Sequence, residues 1–514
     1  MPFAYQDLTD PERELADAVR DGTICVFPEP TEIRGEVIHD LFLGLIEGYE
    51  PTHQGLRFAG LPAEKGKSRC LTITGTLDLD YARADHGGAL PRLAILNAVF
   101  ENSFDMVGAH LAEVNLTGCR LHGLRGEQAR IDRHFLFIGV ETQAPVFLSA
   151  AFIEGQFSAN GAAFSNPNDV ALNFQDATIK GGVVLREANF TGAVVANTLS
   201  TEGQFSANGA TFSNPNGDAL NLQGATVKDG VFLEKANCTG TVEAKGLSTE
   251  GQFSANGATF SNPDGIALDL QGATIKNGVF LDAANFTGAV NANTLSTEGQ
   301  FSANGVTFLN PDGIALILQG ATVKGGLFLR KSGGTRATFL GTLDANNALL
   351  EYVLAEGAIL QGPGNQPAMD FRNASILQDL LLIGAQITGG LALDHATIGA
   401  RMTITRAIFT PDGHQTCLSL RRATINGTLE TLYFASPPTG IFDLTGADIH
   451  TIEDHAFRGW PNDGGLILDG LTYRRIGFPG VPKGAPAYLF RDILDKNGPD
   501  ALFERRRQWL MRQY

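Results

Sequence analysis

The chain has 514 residues, 43% of them apolar, with 61 Gly, 33 Phe, only 2 Trp and a formal net charge of −17. That length exceeds one ordinary domain, and that charge excludes a general nucleic-acid binder, which needs a basic surface. Cys25, Cys70, Cys119, Cys238 and Cys417 stand singly, with no CxxC pair and no disulfide framework, which places the chain in a reducing, cytoplasmic compartment.

Residues 1–60 read as a helical N-terminal cap. Thr9-Asp10-Pro11-Glu12 is a helix start with Pro at its first position, Gly22 is a stop, and Glu36 opens a second amphipathic segment, EVIHDLFLGLIEG. The polar, acidic N-terminus is no signal peptide, and no run of about 18 apolar residues spans a membrane. Residues 61–150 carry short irregular repeats such as LTITGTLDL and VGAHLAEVNLTGCRLHGL, which read as early β-helix coils.

From 151 to 430 the repeat becomes regular, as about six units of roughly 48 residues each. Glu154, Glu202, Glu250 and Glu298 fall at one constant interval, inside nearly identical copies of EGQFSANGATFSNP. Spacing without drift requires a fixed structural period. Aligning Gly251, Gly278 and Gly299, each before a short apolar segment, divides the unit into a longer coil, 251–277, and a shorter one, 278–298. A coil of about 20 residues suits four short sides, and Gly with β-branched residues every few positions resists helix. The longer coil carries an extra turn, Asn262-Pro263-Asp264-Gly265, repeated at Pro167, Pro215, Pro311 and Pro411. Five residues near Lys331 to Arg336 are a local insertion. Residues 431–480 read as terminal coils and 481–514 as C-terminal helices; since the pattern is still helical at Tyr514, we expect the natural protein to continue past it.

Repeats turn single residues into rows. Cys238 occupies the slot of Phe190 and Phe286, so it reads as a buried, inert thiol. Lys180, Lys228, Lys276 and Lys324 form a row beside the glutamates, and the division at the glycines makes the two rows alternate diagonally as a solvated face. Asp264, Asp312 and Asp412 supply one acid per turn, too few for calcium, which takes at least about six oxygens.

No metal, flavin, nicotinamide, haem or phosphate-loop motif is present, so no cofactor is expected. None of the ten histidines lies between residues 135 and 394. The candidate polar cluster is therefore near the C-terminal end: His450, Glu453, Asp454 and His455, with Asp443 and Asp448 nearby. Its spacing fits no standard metal pattern. A second cluster is Arg130, Asp132, Arg133 and His134, expected to face the N-terminal helices.

The period-five rhythm of AHLAEVNLTGCRLHGL resembles pentapeptide-repeat proteins, which form right-handed quadrilateral β-helices. The GATI-x-G-x-L-x-L units, the IRGEVIHDLFLG opening (Ile33 to Gly44) and the GWP…GGLILDGLTYRRI close (Gly459 to Ile476) also resemble a bacterial family often labelled "membrane-associated oxidoreductase". The resemblance implies a cytoplasmic rod, at the cytoplasmic face of the membrane, with any membrane segment lying beyond Tyr514. The expected fold is an all-β solenoid, a right-handed parallel β-helix with helical caps. The expected function is a non-enzymatic scaffold that binds a protein partner and no nucleic acid. Two alternatives are an enzyme, carbohydrate-active or redox, with its site at an end of the rod, and a DNA mimic that binds a type II topoisomerase. The mimic is ranked lower, because −17 spread over roughly 90 Å gives one charge per about 5 Å against about 1.7 Å in duplex DNA.

Overall fold

A computed structural model describes residues 2–62, 70–364, 366–410, 416–434, 437–454, 459–461 and 465–477. By internal contacts the chain divides into two compact units, residues 1–262 and 263–514. Each is a parallel β-solenoid, and the fold is the right-handed β-helix with minor helical caps that the repeat predicts.

The first unit opens with α1 (Asp10–Asp21), where Thr9 and Glu12 form a reciprocal cap and Gly22 ends the helix at φ +65. The second cap helix is α2 (Gly35–Phe42). The cap is not wholly helical: β1 (Cys25–Phe27), β2 (Thr31–Arg34) and β3 (Leu56–Gly60) already join the coil sheets, because CVF and TEIR alternate buried and exposed positions as strands do. Glu12 is 1% exposed. Its carboxylate accepts from Arg34 Nε at 2.8 Å, Arg34 Nη2 at 2.6 Å and the Thr9 amide at 2.8 Å. This fork holds α1 on the first coil.

One coil of the regular part shows how the sequence closes a square. Thr211–Asn221 lines the first and second sides, Thr226–Val227 the third, and Gly230–Phe232 the fourth. The corner after the second side is a tight turn closed by Ala225 N–H to Leu222 O at 3.0 Å, with Gly224 at φ +64. The corner after the fourth side repeats that geometry through Ala236 N–H to Leu233 O at 3.0 Å. Between the first and second sides, register jumps from Ser213↔Thr239 to Asp218↔Thr241, so the residues between Ser213 and Asp218 face only Gly240 of the next coil. This is the extra turn expected from the sequence: a bulge, closed by Asn214 Nδ2 donating to Asp218 O at 2.8 Å. Gly240, at φ +108, runs beneath it, and a Cβ there would meet Asn214 O at 2.2 Å.

The coil lengths differ from the sequence division. Residues stacked one coil apart, such as Glu154 and Lys180 or Asp176 and Thr198, are separated by 26 and by 22 residues. The strand register agrees: Val183 pairs with Phe205 and Val231 with Phe253 across short coils, and Phe205 pairs with Val231 across a long one. The long coil is thus one residue shorter, and the short coil one residue longer, than the glycine alignment predicts. The error arises because the glycines before QFS and before VFL are not equivalent. Gly230 pairs with Gln252, and Gly251 packs on Asp229, one place earlier at the same corner.

Inward-facing rings form a continuous stack: Phe164–Phe190 at 4.9 Å and Phe190–Phe212 at 5.0 Å, nearly parallel. Cys238 follows in register with Phe212 and is 0% exposed, so the slot assignment from the sequence holds.

The second unit continues the same construction. Val279 pairs with Phe301 across a short coil and Phe301 with Leu327 across a long one, and Phe286, Phe308 and Phe339 stack at 4.9 and 4.6 Å. The five-residue insertion is a small turn closed by Ser332 and Thr335, after which Arg336 Nε donates to Gly357 O at 2.6 Å. Later coils lose the strict alternation: Leu327↔Val353 and Val353↔Leu380 both span long coils before Leu380↔Met402 returns to a short one. The last described strands are Asp448–Asp454, Leu466–Ile467 and Thr472–Gly477. The expected C-terminal helices at 481–514 lie outside the described residues. No described helix is long and apolar enough to cross a membrane.

Candidate functional site

Each outward column repeats one position of the coil, so a site must be sought where a column departs from its own pattern. The charged column at the corner after the third side is regular. With the observed coil lengths, lysine and glutamate fall directly in line rather than diagonally. Lys180 Nζ lies 2.9 Å from Glu154 Oε1, one long coil back, and Glu202 follows one short coil on. In the second unit Lys324 approaches Glu298 at 3.5 Å. The Glu154 hydrogen bond is the main cause that raises the Lys180 pKa. Both partners are solvated, so these pairs set charge order more than stability.

At the start of this column the pattern breaks. Arg130 stands in register with His110, and His110 Nε2 lies 3.0 Å from both carboxylate oxygens of Asp132. Arg130 Nε donates to Asp132 at 3.1 Å, while its guanidinium sits 4.8 Å from the Phe152 ring centre. Burial pushes the Asp132 pKa up, but the His110 and Arg130 hydrogen bonds outweigh it and hold the carboxyl below its ordinary value. His134 Nδ1 accepts from the Gln156 amide at 3.1 Å. Of the second sequence cluster, Arg130 and Asp132 therefore meet His110 one coil earlier. The coil period is the signal that would have found His110.

The C-terminal cluster does not converge: a corner separates His450 from Glu453 and Asp454, of which Glu453 is half-exposed and Asp454 is buried. His450 is exposed at a corner and its Nδ1 lies 3.0 Å from Thr451 Oγ1. Asp454 is buried and accepts from Trp460 Nε1 at 2.7 Å, with the indole itself 0% exposed, which is a structural bond. His455 lies outside the described residues. Glu453 instead stands in register with Glu430. Glu430 accepts from Thr403 Oγ1 at 2.7 Å, and Arg401 lies 3.7 Å from it and 3.2 Å from Asp379. Burial and then the Glu430 charge push the Glu453 carboxyl up; Arg475 and Arg401 oppose them. This stacked acid pair was not singled out from sequence, because its members are a whole coil apart in the chain and adjacent only through winding.

Among the described residues no group of three or more His, Cys, Asp or Glu could hold a metal ion. The Asn-Pro loops close on themselves, as in Asn310 Nδ2 to Ile314 O at 2.9 Å, and Asp412 lies outside the described residues. None of the five cysteines is in a disulfide, and burial pushes the Cys238 thiol up to about 12, so it is no nucleophile.

Fold and columns together define a parallel β-solenoid repeat protein. No protein family and no curated protein matches the chain. Among solved structures the chain is weakly similar to HetL, a pentapeptide repeat protein involved in heterocyst differentiation regulation from the cyanobacterium Nostoc sp. strain PCC 7120. Identity is 16% over 74% of this chain and 86% of that one, with a TM-score of 0.09. The oxidoreductase label carried by the sequence resemblance finds no support in these comparisons.

Proposed function

We propose that the protein is a non-enzymatic scaffold in the cytoplasm, whose stacked coils present long, repeating faces to a protein partner. The observation that supports this reading is the regularity of the charged column: Glu154, Lys180, Glu202 and Lys228 alternate in sign from coil to coil. Interleaved lysines also neutralise the acid column, which counts against a DNA mimic. A bivalent partner or assembly at the membrane face would use the ends, where the columns break.

The enzyme reading keeps one specific support, the Glu430–Glu453 pair beside Arg401 and Arg475. A pair of carboxylates, one of them raised as Glu453 is, is the usual equipment of glycoside cleavage. Assays of the purified chain against neutral and acidic polysaccharides and redox dyes decide between the two. The scaffold reading expects no turnover. Turnover that Glu453→Gln or His450→Ala abolishes would overturn it.

A further inference from the structure

The first side of the coil differs from the other three in the first unit. Its two outward columns are built from Asn189 and Thr191, Thr211 and Ser213, and Asn237 and Thr239, in register from coil to coil. Every one of these side chains is exposed or half-exposed. From Ala163 to Thr239 these columns contain no charge, although the chain carries −17.

The second observation is how the polar groups are used. On the second and fourth sides they are consumed internally: Ser254 Oγ donates to Glu234 at 3.0 Å, Asn208 accepts the Glu234 amide at 3.0 Å, and Asn221 accepts the Gln223 amide at 3.0 Å. On the third side the hydroxyl column of Ser200 and Thr226 stands beside the charged column of Lys180, Glu202 and Lys228. On the first side, none of the six named side chains makes a hydrogen bond to any described residue. Their hydroxyls and amides stand unspent in a flat grid, about 4.8 Å from coil to coil and about 7 Å along each strand.

We propose that this face binds an extended, neutral polysaccharide. A grid of donors and acceptors without charge suits a polymer that is itself a repeating array of hydroxyls, and the acidic chain repels polyanions. A protein partner fits this face poorly: protein hot spots rest on Trp, Tyr and Arg anchors, and the six positions offer none. The inference goes beyond the scaffold reading, which concerns a protein partner and assigns no ligand to this face.

The test is affinity electrophoresis of the full chain in native gels cast with hydroxyethyl cellulose, laminarin or alginate. The neutral gels should retard the wild-type protein, with little dependence on salt, and alginate should not. Thr191→Glu/Thr211→Glu, which puts two charges on the face, should weaken retardation about tenfold or more, the equivalent of one or two lost hydrogen bonds. Ser200→Glu, on the third side, should leave it unchanged, and thermal melts of all three proteins confirm that each is folded. Absence of retardation by both neutral polymers would overturn the proposal. So would equal retardation of the face variant, or retardation by alginate alone. Inhibition of ice recrystallisation without retardation would also overturn it and assign the grid to frozen water.

Discussion

Cys238→Phe tests the equivalence of the repeats where it is least obvious. Cys238 is fully buried, in register with Phe212, at the position that Phe190 fills one unit earlier. If the backbone keeps the same slot, a ring at 238 should lie about as far from Phe212 as Phe190 does, 5.0 Å and nearly parallel. The added buried carbon surface is worth about 1–2 kcal/mol, and one more stacked pair about 0.5–1.5 kcal/mol. Against this, overpacking a slot that has closed around the thiol costs about 1–3 kcal/mol. The flanking pairs Thr211↔Asn237 and Ser213↔Thr239 match Asn189↔Thr211 and Thr191↔Ser213, so the backbone at this slot keeps the register that holds the Phe190 ring. The net gain should be about 1 kcal/mol. Urea unfolding followed by circular dichroism measures it as a rise in midpoint at unchanged slope. A fall of about 1 kcal/mol or more would show that the coils are equivalent in sequence alone and refute the slot argument.

Two further predictions concern ionised groups. Glu453 is raised above its ordinary value of 4.5 by burial and by Glu430, so its protonated form favours the fold. That contribution is complete below pH 4.5 and disappears as pH rises through the folded value, so Glu453→Gln should raise the melting temperature at pH 7 and change little at pH 4. Near the N-terminus, Glu12 is desolvated, yet Arg34 and the Thr9 amide hold its carboxyl below the ordinary 4.5. Arg34→Ala leaves that carboxylate buried without its partner and should cost about 3 kcal/mol at neutral pH. In the wild type the pair's contribution is lost as pH falls through the folded pKa of Glu12, so the variant and wild type should converge in acid. A constant difference from pH 7 down to pH 3 would contradict the assignment.

The fold was legible in the sequence because a long period without drift leaves little freedom. The start of α1 was equally plain, since Thr9, Pro11, Glu12 and Gly22 are local signals. What escaped was phase. Gly230 and Gly251 have similar sequence neighbours, yet Gly230 pairs with Gln252 while Gly251 packs on Asp229, and that single residue converts a diagonal charge pattern into the direct Lys180–Glu154 pair. Phase is set by which amide meets which carbonyl across coils, and no local motif reports it. The same limit hid the groupings of His110 with Asp132 and of Glu430 with Glu453, which are distant in sequence and adjacent only after winding. His450, Glu453 and Asp454 are close in sequence, but a corner within their strand separates His450 from the other two, and the alternation of the strand leaves Glu453 half-exposed and buries Asp454.

The central claim is that a long coil and a short coil together, and not the single coil, form the unit of this protein. Deleting residues 202–249 removes one such pair and rejoins Thr201 to Glu250, a junction identical to the native Thr249–Glu250. Lys180 then meets Glu250 as it met Glu202. Deleting 202–227 removes one long coil, stacks Lys180 on Lys228, and leaves Gly240 without the bulge above it. Hydrogen exchange across residues 178–201 in the two deletion proteins decides the matter. The account predicts native-like protection in the first protein and its loss in the second. Equal protection in both would contradict it.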